Sequence, residues 1–308
     1  MKSSFAALCA LSLLAACGGN PLDLGEVPEP SDPTGPIGEE APIIGVEVPG
    51  VIAQNLRSAS YTPGAPSMRI DLRTLDGTPL QATYTKDESL SINGFDAYTV
   101  QETRSQRKFL ALFRQAGDGA QAGVVADGGQ FANYFGGGTF TQLKPFSAPT
   151  GNKLLATYVG AYVGLLNTGD IAPGSEEYLR ARQSFRVTGD VAMNADFNAG
   201  NMSVNGEIAN RQVVETGTKF HPVYFQVTDV NGQGAFSGLL VDATGGTVGN
   251  YAGAFAGRGA AHVAGATVLT PSELEAGHRP LPDVYPGAVE HGAFVAPVCA
   301  PGDAKPCP

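Results

Sequence analysis

The sequence predicts an all-β protein, with a small eight-stranded antiparallel β-barrel over residues 151–270 and a smaller, handle-like β-sheet subdomain before it over residues 51–150. Apolar and polar residues alternate along much of the chain, as in strands that bury one face. Clusters of Gly, Asn and Asp separate these stretches. The composition, with 41 Gly and no Trp, also suits short strands joined by tight turns.

The N-terminus has the pattern of a secretory signal: Lys2 precedes a short apolar run that ends in Leu14-Ala15-Ala16-Cys17. This ending resembles the bacterial lipobox, in which small residues precede a cysteine that is acylated and becomes the new N-terminus. We therefore predict a lipoprotein signal peptide over residues 1–16 and lipid attachment at Cys17. Gly18 is not the aspartate that commonly retains lipoproteins at the inner membrane, which favours the outer membrane and the cell surface.

Proline marks both ends of the folded part. Seven prolines lie between Gly18 and Gly50, among Gly, Glu and Asp, so residues 17–50 are predicted to be a lipidated, flexible tether. Eight more lie from Pro271 to Pro308, so residues 271–308 are predicted to be an irregular, proline-rich tail.

The handle-like subdomain contains less regular strand patterns. Its candidate strands are Met68–Leu72, Leu80–Tyr84, Phe109–Phe113 and Phe131–Phe140. Gly128-Gly129 and Gly136-Gly137-Gly138 are predicted to be turns or bulges. This smaller sheet is expected to pack against the barrel.

The barrel segment begins with residues 153–166, which predict one or two strands, and an excursion over 170–182 with one helical turn at 176–181. Residues 187–197 alternate strictly, 198–201 supply turn residues, and 202–208 alternate again, which predicts a hairpin. The later candidate strands are Val223–Val227, Ala235–Val241, Tyr251–Phe255 and Ala261–Leu269. About eight strands result, enough to close a small barrel, although an open sandwich fits the periodicity equally well.

Two cysteines remain after Cys9 leaves with the signal peptide and Cys17 takes lipid. Because secreted proteins fold in an oxidising compartment, we predict a disulfide between Cys299 and Cys307. Only seven residues separate them, so this bond would staple the tail rather than hold the core.

Residues 249–265 carry a family resemblance. They look like the closing hairpin of the barrels of transferrin-binding protein B and factor H-binding protein, where a G-x-F-x-G-x-x-A-x-x-x-x-G strand pair ends an eight-stranded barrel. The matching residues are Gly253, Phe255, Gly257, Ala260 and Gly265. The resemblance implies a surface lipoprotein with a handle-like sheet before its barrel. The family's partner contacts lie in variable loops that have no match here, so the fold carries over and the ligand does not.

Charge and motifs exclude several functions. With 29 acidic and 19 basic residues, the chain is a poor partner for nucleic acid or anionic lipid. His221, His262, His278 and His291 show no metal-ligand spacing, and although His262 could face the barrel interior, it is better explained as an ordinary strand histidine. The segment 229–234 resembles the start of a calcium loop, but Leu240 stands where a bidentate Glu is required. Neither a catalytic motif nor a cofactor motif occurs, so no cofactor and no enzymatic activity are expected.

These inferences favour a non-catalytic outer-membrane surface lipoprotein that engages a protein or small solute through its loops. Two alternatives fit the same residues. One is a lipocalin-like carrier with a hydrophobic molecule in the barrel, because eight-stranded barrels either fill with side chains or hold one small ligand. The other is a structural envelope lipoprotein.

Overall fold

The computed structural model describes residues 46–74, 79–101, 108–128, 134–151, 154–167, 184–198, 200–270 and 288–299. Within these ranges the helical elements are the four-residue helix α1 (Gly50–Ala53) and a 3-10 turn (Glu88–Leu90), and all other elements are strands. The expected all-β class is confirmed. The signal peptide, the helical turn at 176–181 and Cys17, His278 and Cys307 lie outside the described residues.

The first sheet, which we call the handle sheet, has seven antiparallel strands that pair in chain order. They are β1 (Leu56–Ser60), β2 (Ser67–Arg73), β3 (Pro79–Lys86), β4 (Asp96–Val100), β5 (Phe109–Ala116), β6 (Ala120–Ala126) and β7 (Gly136–Gln142). The sheet curls, so that the Asn55 amide before β1 donates to the Gly136 carbonyl of β7 at 3.1 Å. Its inner face buries Ile70, Tyr98 and Phe113 in a core of its own.

The second sheet is a closed antiparallel barrel of eight strands. They are β8 (Leu155–Asn167), β9 (Phe185–Asp196), β10 (Ser203–Val213), β11 (Val223–Asp229), β12 (Ala235–Val241), β13 (Thr247–Ala256), β14 (His262–Leu269) and β15 (Val289–Pro297). Each strand pairs with its neighbour in the chain, and β15 pairs back with β8. The prediction of a closed eight-stranded barrel is confirmed, and the open-sandwich alternative is excluded.

The last barrel strand corrects two expectations. β15 lies within residues 271–308, for which proline content predicted an irregular tail, whereas β8 agrees with the single-strand possibility for residues 153–166. The 249–265 hairpin is therefore followed by β15 and does not close the barrel. Glu290, Gly292 and Phe294 lie on the lumen side of β15, but both faces of the strand are buried and Pro286 and Pro297 flank it, so residues 289–296 show no clear alternation in the sequence.

The hairpins of the barrel follow the predicted turns. β9 and β10 pair with Val191 opposite Ile208 and Ala195 opposite Val204. In the turn between β11 and β12, the Asn231 side-chain oxygen accepts hydrogen bonds from the amides of Gln233 and Ala235, at 2.9 Å each. The residues that resembled a calcium loop thus form a turn held by Asn231.

Two boundaries in the handle sheet also differ from expectation. Gly136, Gly137 and Gly138, predicted to be a turn or bulge, are the first residues of β7. A Cβ at Gly137 would lie 1.9 Å from the Ala53 carbonyl oxygen, so this position is glycine because the strand passes against α1. The packed chain also begins earlier than residue 51, since Val48 is half-buried against the core.

Candidate binding site

The barrel lumen is filled by side chains from alternate strand positions. The ring of Phe255 lies 5.0 Å from that of Tyr158 and 5.2 Å from that of Phe236, measured between ring centroids. Across the lumen, the rings of Phe225 and Phe294 lie 5.5 Å apart. These separations are those of packed aromatic pairs. In the described part of the barrel, the space that a carrier would offer to a hydrophobic ligand is occupied by the protein.

A polar cluster lies within this apolar lumen. Arg211 donates to the carboxylate of Glu290, and both side chains are wholly buried. The Tyr162 hydroxyl donates to Glu290 Oε1 at 2.5 Å and lies 3.4 Å from Thr267 Oγ1. Asn210, at φ 52°, sits where the register between β9 and β10 shifts, and this bulge turns Arg211 inward. Burial, and then the charge of Glu290, raise the pKa of Tyr162, so its hydroxyl remains a donor.

Glycines make room for the polar cluster. A Cβ at Gly164 would lie 2.5 Å from Glu290 Oε1, and one at Gly292 would lie 2.2 Å from the Tyr162 hydroxyl. Because the charges of the cluster compensate each other away from water, we interpret it as part of the barrel's packing rather than as a site for a ligand.

The outward side chains of the barrel are small where the handle sheet covers them. Outward positions of β13, β14 and β15 are alanines, namely Ala252, Ala254, Ala256, Ala264, Ala266 and Ala293. They pack with Leu112, Val124 and Phe140 of the handle sheet. These small outward side chains therefore allow the two sheets to approach each other closely.

Polar contacts fix the handle sheet on the barrel. The side-chain amide of Gln142 donates to the Phe255 carbonyl at 2.6 Å, and that of Asn93 donates to the Gly189 carbonyl at 2.7 Å. His291 faces outward from β15, and its Nε2 atom lies 2.8 Å from Gln54 Oε1. Burial lowers the pKa of His291 to about 4, so the ring is neutral at physiological pH.

An open groove of about 640 Å³ lies where the handle sheet and the barrel meet. We call it the interface groove. Its barrel side is formed by residues 159–161 of β8 and by Val295, Pro297, Val298 and Cys299. Its handle side is formed by residues 93–94 and by the end of β5, 114–117, and His262 of β14 also lines it. The volume is in the range of pockets that hold small molecules or short peptide segments.

Two basic side chains line the interface groove. Arg114 is half-buried, and its guanidinium donates to the Asn93 carbonyl oxygen at 2.9 Å. The guanidinium carbon lies 5.9 Å from the centroid of the Phe95 ring. Its burial lowers its pKa, but a guanidinium keeps its charge at neutral pH. His262 packs against Gly117 and Gly119 of the β5–β6 turn, and burial lowers its pKa. His262 thus faces the handle sheet and not the barrel interior.

The cysteine at the end of β15 also belongs to the interface groove. Cys299 is disulfide-bonded, and its amide donates to the Thr157 carbonyl at 2.7 Å. The predicted pairing with Cys307 stays a prediction. Of the other predicted residues, His221 is exposed at the opposite end of the barrel and joins no cluster.

The described ranges contain no group of three or more His, Cys, Asp or Glu side chains placed to hold a metal ion. Within the same ranges, none of the helical elements has the length and apolar character needed to cross a membrane. The sequence did not single out Arg114 or Asn93, because only the contact between the two sheets brings them beside β8 and β15.

No protein-family model matches the sequence, and no curated protein matches it. Among solved structures, the chain is similar to one described as a surface lipoprotein, with 16% identity, a TM-score of 0.38, and coverage of 75% of this chain and 93% of that one. It is also similar to transferrin-binding protein B from serogroup B Neisseria meningitidis, with 12% identity, a TM-score of 0.38, and coverage of 81% and 42%. A mutant of the same protein from Haemophilus parasuis shows 11% identity, a TM-score of 0.37, and coverage of 79% and 54%.

The family that residues 249–265 resemble is therefore represented among these structures. The chain spans about half the length or less of these two transferrin-binding protein B structures. Identities of 11–16% and TM-scores below 0.5 identify no ligand for this chain.

Proposed function

We propose that this protein is a non-catalytic binding lipoprotein, anchored at the outer membrane through acyl chains on Cys17 and displayed at the cell surface. The observation that carries the binding role is the combination of a filled barrel with an open groove between barrel and handle sheet. Since the described lumen offers no space, a ligand binds on the outside, at the interface groove and the loops around it.

The location rests on the N-terminal residues. Small residues precede Cys17, and the proline-rich segment 17–50 follows it. Each acyl CH₂ that enters the bilayer contributes about 0.8 kcal/mol, so two or more chains anchor a protein stably. The residues between Cys17 and Val46 would then hold the folded part away from the membrane.

The filled lumen also weighs against the lipocalin-like alternative. A hydrophobic ligand in the barrel would have to displace aromatic rings that now pack against each other, such as those of Phe225, Phe255 and Phe294. Removing one such ring from a core costs about 3–5 kcal/mol. No observation on the described residues favours a purely structural envelope role over binding.

The composition of the interface groove supports binding without catalysis. Its lining holds a guanidinium, an imidazole and amides, but neither a serine nor a carboxylate. Cys299 is in a disulfide and is not a free thiol. A nucleophile paired with a general base, which covalent catalysis needs, is therefore missing from the lining of this groove.

Membrane anchoring can be tested on the full-length protein expressed in its own host. Intact-mass analysis should find a diacylglyceryl group and an N-terminal acyl chain on Cys17, and Cys17→Ser should abolish both. Protease applied to whole cells should degrade the wild-type protein. A mature chain without acyl groups would refute the anchoring, and full protease resistance would refute surface display.

The binding role is tested by pull-down from the host's growth medium with the purified full-length protein. A partner that is retained in a saturable manner and competes with an excess of free protein supports binding. Abundant protein with no saturable partner would favour the structural alternative.

A further inference from the structure

Arg114 differs from the other well-buried arginines in its partners. Arg186 pairs with Glu215 at 2.7 Å, and Arg211 pairs with Glu290 inside the barrel. Among the described residues, no carboxylate lies within ion-pair distance of Arg114, and its hydrogen bond goes to a backbone carbonyl. A partly exposed guanidinium without a counter-charge keeps N–H donors that an anionic group can occupy in a charge-assisted hydrogen bond. This arginine therefore marks a place where an anion would be stabilised.

The surroundings of Arg114 strengthen this argument. None of the residues that line the interface groove is Asp or Glu, although the chain carries a net charge of −10. The nearest acidic residue along the β5–β6 turn, Asp118, is already paired with Lys144. The groove is thus a basic depression on a protein whose net charge is negative. It attracts anionic groups, which most of the protein's surface does not.

The floor of the interface groove adds apolar contacts. Val159 of β8 and Pro297 of β15 face each other in the register that pairs the two strands. Val159 is partly exposed and Pro297 is exposed, so an apolar side chain of a peptide could pack on both.

We propose that the interface groove binds a short, acidic–apolar peptide segment of a partner protein, with a carboxylate side chain at Arg114. The apolar side chains of the segment pack on Val159 and Pro297. This inference rests on the proposed binding function and names the chemistry of its ligand.

The test uses the full-length protein in detergent and fluorescein-labelled acetyl-Ala-Val-Glu-Val-Ala-amide, followed by fluorescence polarisation. The matched control peptide carries Gln in place of Glu. We expect saturable binding of the Glu peptide, about tenfold weaker binding of the Gln peptide, and weaker binding at high salt, as for a charge-assisted hydrogen bond.

Arg114→Gln should weaken binding of the Glu peptide about tenfold and bring it to the level of the Gln peptide. Arg57→Gln, which removes an exposed arginine of β1, should leave binding unchanged. Arg114→Lys keeps the charge and should retain measurable binding, and circular dichroism with the melting temperature establishes that each variant is folded.

Equal affinity for the Glu and Gln peptides, no binding of either, or wild-type binding by folded Arg114→Gln would each overturn the assignment. The proposed function fails separately. If the pull-down retains a partner that the Glu peptide does not displace, the binding function stands and the interface groove is not its acidic-peptide site. If the Glu peptide binds as expected but no partner is retained, the peptide assignment stands and the proposed function fails.

Discussion

Acidification is expected to weaken this protein through His291, which is 1% exposed between the barrel and the handle sheet. Burial lowers its pKa from 6.5 to about 4 in the folded state. Between these two values the unfolded chain binds more protons than the folded one, so the contribution of His291 is complete above pH 6.5 and is lost as the pH falls toward 4. From pH 7.5 to pH 5 this loss amounts to about 2 kcal/mol.

The free energy of unfolding, measured by urea titration at pH 7.5 and pH 5, tests this value. Wild-type protein should lose about 2 kcal/mol more than His291→Gln over this interval, because Gln cannot take up the proton. His221→Gln, which changes an exposed histidine, should lose as much as wild type. If His291→Gln shows the same loss as wild type, His291 is not the buried neutral group described above.

Two further predictions concern packing. Arg211→Leu should lower the free energy of unfolding by about 3–5 kcal/mol, because it leaves Glu290 buried without its cation. Adding Glu290→Leu should recover part of that loss, and urea titration of the single and double variants measures both effects. Gly137→Ala should cost about 1–3 kcal/mol, since its Cβ would lie 1.9 Å from a carbonyl oxygen of α1, whereas Gly232→Ala, with open space around it, should change the melting temperature little. Equal melting temperatures for these two alanine variants would contradict the close approach of β7 to α1.

The strands that could be predicted from the sequence are those with one solvent-exposed face and one buried face. β9 and β10 alternate cleanly because their outward residues, such as Asp190 and Asn194, meet water over most of their length. β15 escaped prediction because its outward residues, His291, Ala293 and Val295, are covered by the handle sheet, so both faces of the strand are buried. Where both faces of a strand are buried, apolar and polar residues no longer alternate, and the strand is hard to predict from the sequence.

The interface groove illustrates a second limit of the sequence. Arg114 occupies an ordinary position in β5, and the residues opposite it come from β8 and β15, which follow in the chain after many intervening residues. No spacing rule links residues that only sheet-on-sheet packing brings together. The predicted lipid attachment at Cys17 is the reverse case: its evidence is entirely local in the sequence.

Closure of the barrel through β15 has a consequence for the order of folding. The ring stays open between β8 and β14 until residues 289–297 are present, so a chain that is synthesised from its N-terminus cannot complete the barrel early. Pairings between such distant segments form slowly because a long loop must close before they contribute. The handle sheet pairs only strands adjacent in the chain and can assemble first, which would give β15 a preformed surface, including Leu112, Val124 and Phe140, on which to pack.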